Sequence, residues 1–154
     1  MMKIMDYLDE ERVMANLQGV DKASILRELA GVLVSPCKAA SVDELLQVLL
    51  DREKLGSTGI GEGIAIPHGR LKKIKNFFIS FGRSVKGVDF DSIDRKPSQL
   101  FFLVIAPENS AVDNLKLLSR IVTLLKEPSF KKRLIGAPSR QELFKVISEE
   151  DEKY

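Results

Sequence analysis

The chain has 154 residues, 44% of them hydrophobic and 30% charged, a length and balance that suit one domain with a sizeable core. Its 24 basic and 22 acidic residues leave a net charge of only +2, and no basic stripe interleaved with aromatics marks a nucleic-acid partner. One cysteine, Cys37, and one histidine, His68, exclude an internal disulfide and leave too few ligands for a Cys/His metal site, so neither metal nor cofactor is expected.

The N-terminal run Met1–Asp6 lacks the apolar region of a signal peptide, and no apolar stretch reaches the length of a membrane span. A cytoplasmic protein is the expectation, with residues 1–154 forming a single domain free of repeats and of any linker long enough to divide it. A short segment around Met5–Leu8 leads to a strand expected over Arg12–Leu17. Asp21 is placed to cap a helix reaching about Val34, with Ile25, Leu26, Leu29 and Val32 on one face and Pro36 beyond its end. Ser41 and Glu44 have the spacing of a capping box for a helix through about Lys54, with Val42, Leu45, Leu46 and Leu49 inward.

A glycine-rich loop is expected over Gly56–Gly63, followed by a short apolar strand, Ile64–Ile66, that delivers His68. Asn76–Arg83 and Gln99–Ala106 read as strands. The second is apolar throughout and predicts a central strand buried on both faces. Val88–Phe90 alternates, Asp94–Pro97 reads as a turn, and Pro107–Ser110 as a loop. A helix from about Asp113 to Lys126 is expected to turn Leu115, Leu118, Ile121, Val122 and Leu125 inward. Pro128 and Gly136 bracket a short helix, and Ser139 with Glu142 opens a last helix carrying Leu143, Val146 and Ile147. The middle strands lie too close together for crossover helices between them. The prediction is therefore an α/β fold with a mixed central β-sheet sandwiched by α-helices.

The chemistry concentrates in Gly59-Ile60-Gly61-Glu62-Gly63-Ile64-Ala65-Ile66-Pro67-His68-Gly69-Arg70. The glycine spacing fits neither the phosphate loop with Gly-Lys-Ser/Thr nor the dinucleotide fingerprint. What stands out is one imidazole after a proline and before a glycine, with Arg70 two residues on and Arg52 sixteen residues back. A neutral imidazole nitrogen is a competent nucleophile, and its other nitrogen needs an acceptor to fix the tautomer. Arginine matches phosphate oxygens with its planar fork, and the amides of a glycine-rich loop add donors. These are the parts that phosphoryl transfer requires. Lys72, Lys73 and Lys75 read as a solvated loop.

The longer run Arg52-Glu53-Lys54-Leu55-Gly56-Ser57-Thr58-Gly59-Ile60-Gly61 through Pro67-His68-Gly69-Arg70 closely resembles the active-site signature of enzyme IIA domains. These belong to the bacterial phosphoenolpyruvate-dependent phosphotransferase system (PTS), fructose/mannitol class. The wording Leu55–Gly61 is most similar to the nitrogen-regulatory branch. The resemblance extends through Phe90–Asp94, Leu100–Pro107 and Ser139–Leu143.

This resemblance implies the type 2 enzyme IIA fold. It implies a phosphohistidine carrier, in which His68 accepts a phosphoryl group from an HPr-type phosphocarrier. Arg52 then helps to hold the phosphate, with Ser57, Thr58, Asn114 and Arg70 as further phosphate-binding or supporting candidates. It implies either phosphorylation-dependent binding of regulated target proteins or onward transfer to a separate enzyme IIB domain. A module that binds partners without being phosphorylated is a further alternative. Many family members carry a second histidine at the start of the helix after the buried strand. Here Asn114 stands in that place, able to donate a hydrogen bond but not to carry charge.

Overall fold

The apolar run Leu100–Ala106 lies at the centre of a six-stranded mixed sheet, and every one of its side chains is fully buried. The computed structural model describes residues 2–38 and 40–154, so Met1 and Ala39, which the expected 1–154 domain includes, lie outside it. The strands are β1 (Val13–Met14), β2 (Gly59–Gly61), β3 (Ile64–Ala65), β4 (His68–Leu71), β5 (Phe78–Val88) and β6 (Ser98–Pro107). The helices are α1 (Lys22–Gly31), α2 (Val34–Cys37), α3 (Val42–Glu53), α4 (Ala111–Leu125), α5 (Pro128–Gly136) and α6 (Arg140–Lys153).

Strand order is β1-β5-β6-β3-β2, with β4 also pairing with β6. β6 runs antiparallel to β5 but parallel to β3 and β4, which makes the sheet mixed. Alternation along β6 divides the molecule into two cores. Leu100, Phe102, Val104 and Ala106 pack with Leu117, Ile121, Phe130, Leu143 and Ile147 of α4, α5 and α6. Phe101, Leu103 and Ile105 pack on the other face with Ile25, Leu29, Leu45 and Leu49 of α1 and α3. Helices cover both faces, as expected, and so β6 carries no polar alternation. Burying each of these large side chains contributes about 1.5–3 kcal/mol.

Local signals set the helix starts. Asp21 accepts from the Ser24 N–H at 2.8 Å, and Ser41 and Ser139 accept from Glu44 and Glu142 N–H groups at 3.2 Å each. The Ser41–Glu44 box is complete, whereas Ser139 forms only its first half.

Several boundaries differ from expectation. The strand expected over Arg12–Leu17 keeps only Val13–Met14, because Arg12 closes a 3-10 turn, Glu10–Arg12, and the ladder is interrupted after Met14 until Leu17 N–H bonds the Arg83 carbonyl at 2.9 Å. The helix expected to reach Val34 ends at Gly31, and Pro36 sits inside the short α2, in a first turn that needs no amide donor. Val32 is consequently half-buried and Leu33 takes the core position. The expected loop Gly56–Gly63 is in part a β2–β3 hairpin. Its turn residues, Glu62 and Gly63, have φ of 58° and 78°, as a type I′ turn requires of both central positions.

In α4 the inward stripe is Asn114, Leu117, Ile121, Leu124 and Leu125. Leu115, expected inward, is 66% exposed. Leu118 and Val122 are half-buried. The helix carries two adjacent apolar stripes, and periodicity alone does not say which one meets the sheet.

Candidate functional site

His68 is the first residue of β4 rather than a loop residue, and its backbone pairs in register with Val104 of β6. The glycine that follows matters here. A Cβ on Gly69 would come within 2.6 Å of Val48 Cγ1, so β4 lies flush against α3 only because no side chain intervenes. That close approach sets His68 beside Arg52 in the last turn of α3.

The imidazole is half-buried, and its Nδ1 lies 2.9 Å from the Ile66 carbonyl oxygen. A carbonyl oxygen only accepts, so Nδ1 holds the ring proton and Nε2 keeps its lone pair. Burial pushes the His68 pKa below the ordinary 6.5, opposed by the Ile66 hydrogen bond. Arg52 then lowers it, Glu53 raises it, and Arg70 lowers it again. The net result is a neutral nucleophile at neutral pH.

His68 and Arg52 border two shallow surface depressions. The first, about 170 Å³, is walled by Ile60, Ile66, Leu118 and Val122, with Ser57 and Thr58 at its edge. The second, about 320 Å³, is walled by Val48, Leu55, Arg70 and Asn114. The half-exposed Leu118 and Val122 of α4 thus form the apolar wall beside His68.

The structure brings all the candidate residues together but uses them differently. An Arg52 terminal nitrogen donates to the Gly56 carbonyl at 2.9 Å, which holds the residues after α3 and leaves the rest of its fork available. Arg70 is exposed, two residues along β4 from His68 and therefore on the same side of the strand. The Ser57 hydroxyl donates to the Phe90 carbonyl at 2.5 Å and accepts from Gly59 N–H at 3.0 Å. Thr58 is buried, and its hydroxyl donates to Glu53. Both hydroxyls therefore hold the loop, and neither has a proton left for a phosphate oxygen. Asn114 is 6% exposed in the first turns of α4 and faces the second depression.

Glu53 was not among the residues singled out in the sequence. It is buried, accepts the Thr58 N–H at 3.1 Å and pairs with Lys22 at 3.0 Å. Lys22 also lies 4.8 Å from the Phe90 ring centroid and 3.2 Å from Asp91. This network ties α1, the end of α3 and the Ser57–Thr58 segment into one support beneath His68. The signal was available: Leu45, Leu49 and Glu53 are spaced by four, so a carboxylate continues the apolar stripe of α3.

A neutral imidazole nucleophile flanked by two guanidinium groups on an open surface suits group transfer between two protein surfaces rather than turnover of a small molecule in a cleft. Over residues 6–150 the chain matches the model of the phosphoenolpyruvate-dependent sugar phosphotransferase system EIIA 2 family, and it belongs to that family. The chain is thus a phosphotransferase-system component of the type 2 enzyme IIA fold.

Among its relatives, a nitrogen regulatory protein of Bradyrhizobium diazoefficiens is 38% identical over 152 residues, covering 96% of this chain and 95% of the relative. The PTS system fructose-specific EIIABC component of Bacillus subtilis is 36% identical over 150 residues, covering 97% of this chain but only 24% of that longer protein. The crystal structure of nitrogen regulatory protein IIA-Ntr from Neisseria meningitidis superposes with a TM-score of 0.88 at 30% identity, covering 94% of this chain and 98% of the other. Among the described residues, no helix is long and apolar enough to cross a membrane.

Proposed function

We propose that the chain is a regulatory phosphohistidine carrier that accepts a phosphoryl group from an HPr-type phosphocarrier onto Nε2 of His68. The observation that carries this reading is the Nδ1–H···O=C bond to Ile66 at 2.9 Å, which leaves Nε2 unprotonated at the protein surface. The Nε2 lone pair attacks phosphorus, the donor's P–N bond breaks, and its electron pair returns to the donor nitrogen. The Nδ1 proton stays on the His68 ring, bonded to Ile66. The ring thus gains a positive charge opposite the phosphoryl dianion, which keeps the group transferable. Arg52 and Arg70 offset the phosphoryl charge during transfer.

The apolar wall of Ile60, Leu118 and Val122 supports docking of a protein partner directly over His68. The regulatory role is favoured by similarity to nitrogen regulatory proteins along almost the whole length of both chains. Onward transfer to an enzyme IIB domain is a second reading, favoured by the similarity to the fructose-specific component.

The test is incubation with phosphoenolpyruvate, enzyme I and an HPr-type carrier. The reading expects acid-labile phosphate on the wild type and none on His68→Ala. Label on the carrier but never on the wild type would refute it. Transfer from the labelled protein to a fructose-type enzyme IIB would turn the regulatory reading into the transport one.

A further inference from the structure

Glu53 occupies a position where an apolar residue would suit the helix better. It continues the Leu45–Leu49 stripe of α3, and its side chain is only 5% exposed. Its ion pair with Lys22 at 3.0 Å adds little net stability, because burying charge offsets most of the attraction. The carboxylate is nevertheless fully engaged. One oxygen accepts from the Lys22 ammonium and the Thr58 N–H, and the other accepts from the Thr58 hydroxyl.

What lies beyond Thr58 accounts for a carboxylate here. Thr58 stands just before β2 and Ile66 just after β3. The Ile66 N–H donates to the Thr58 carbonyl at 3.0 Å, one rung past the hairpin ladder. The Ile66 carbonyl in turn accepts from His68 Nδ1 at 2.9 Å. Between Ile66 and His68, Pro67 fixes its own φ, and its carbonyl accepts the Val104 N–H at 3.0 Å, so the path to the ring has little freedom left. Carboxylate, Thr58, Ile66 and imidazole thus form one chain of hydrogen bonds from the end of α3 to the nucleophile. Glu53, Thr58 and Ile66 are all buried, so water does not compete for these bonds.

We propose that Glu53 is a positioning residue for the phosphoryl transfer: through Thr58 and Ile66 it holds the carbonyl that keeps the proton on Nδ1, and its charge steadies the positive ring formed when Nε2 takes the phosphoryl group. The inference rests on the carrier reading above. No proton passes along the chain, which fixes a carbonyl and supplies a stationary negative charge. Burial is the main influence favouring the neutral ring, and Arg52 on α3 and Arg70 on β4 add to it. The Ile66 bond and Glu53 act in the opposite sense, the sense that a phosphorylated ring requires.

The experiment compares wild type, Glu53→Gln and the double variant Glu53→Gln/Lys22→Met in single-turnover transfer from a phosphorylated HPr-type carrier. The ¹⁵N spectrum of the free His68 ring is read for each over a series of pH values. Glutamine keeps the shape and removes the charge. Methionine at position 22 keeps an apolar stem beside Phe90 and removes the cation that Glu53→Gln leaves unmatched, while the lost pair with exposed Asp91 matters little. Each rate is taken per folded molecule, counted from the methyl NMR spectrum. Glu53→Gln is expected to lose stability and to accept phosphate about tenfold more slowly, as hydrogen bonds to a charged acceptor become bonds to a neutral one. Part of its ring proton should move to Nε2, and the ring should titrate at lower pH than in wild type. The double variant is expected to regain stability but neither the rate nor the wild-type ring spectrum. A double variant that regained the rate together with stability would overturn the proposal, since Glu53 would then only support the fold. A Glu53→Gln ring with wild-type tautomer and titration would overturn it as well. Failure of the wild type itself to accept phosphate would instead overturn the carrier reading, whereas the tautomer and titration measurements judge the positioning without any transfer.

Discussion

At the scale of residues, His68 is tuned by its surroundings rather than by a single neighbour. Burial and the two arginines favour the neutral ring, while the Ile66 carbonyl and Glu53 favour the charged one, and burial dominates. The folded pKa is therefore below 6.5, and between that lowered value and 6.5 the native state binds fewer protons than the unfolded chain. The stability that neutral His68 contributes is complete above 6.5 and is lost as pH falls through the folded value. Urea unfolding of wild type and His68→Gln from about pH 8 to about pH 5 checks this. Wild type is expected to lose stability relative to the variant on acidification, and a constant difference would contradict the buried, neutral ring. His68, Arg52, Arg70 and Asn114 were all named from the sequence, and the structure sets them around one depression. The roles of Ser57 and Thr58 were not, because a hydroxyl's acceptor depends on which distant residue folds beside it. For Ser57 that residue is Phe90, thirty-three positions away.

At the scale of elements, the site depends on how closely β4 lies against α3. Gly69 permits the approach, and in the sequence it stood out only as the glycine that follows the imidazole. Gly69→Ala is expected to destabilise the fold by about 1–3 kcal/mol through overpacking against Val48. It should also slow phosphorylation, because His68 moves away from Arg52. Pairing it with Val48→Ala should recover most of both losses, and an unrecovered double variant would show that the strain lies elsewhere. The same scale explains the misplaced Leu115. One apolar stripe of α4 meets the sheet and its neighbour lines the site, so a helix needed on both sides reads ambiguously from periodicity. β6 posed no such difficulty, since a short apolar run bounded by Pro97 and Pro107 suits a strand covered on both faces.

At the scale of the whole molecule, the N-terminal turn and α6 are tied to α4, the helix that carries Asn114, Leu118 and Val122. The fully buried Asp151 of α6 accepts from Arg120 Nε of α4 at 2.8 Å and from Met5 N–H of the N-terminal turn at 2.9 Å. Its backbone carbonyl accepts from Lys3 Nζ at 3.2 Å. Asp151→Ala removes the buried carboxylate from two donors at once and is expected to cost about 3 kcal/mol in chemical unfolding. A loss of only a few tenths would mean that the latch is incidental. Such long-range ties, like the Glu53–Lys22 pair across thirty-one residues, leave no local pattern to read. The two-faced sheet did leave one, in the periodicities of β6 and the helices.

Charge also acts at this scale. The phosphoryl dianion, set against the positive charge that the ring gains, adds about −1 in all, which roughly halves the net charge of +2. The long-range field offered to partners therefore changes with phosphorylation state.

The central claim is that Ile66 holds the proton on Nδ1 and leaves Nε2 to take the phosphoryl group. The ¹⁵N spectrum of the His68 ring before and after phosphorylation tests it most directly. The expected result is a protonated Nδ1 in both states, with phosphorus coupling appearing at Nε2 alone. Phosphorus coupling at Nδ1, or a free protein with its ring proton on Nε2, would contradict it.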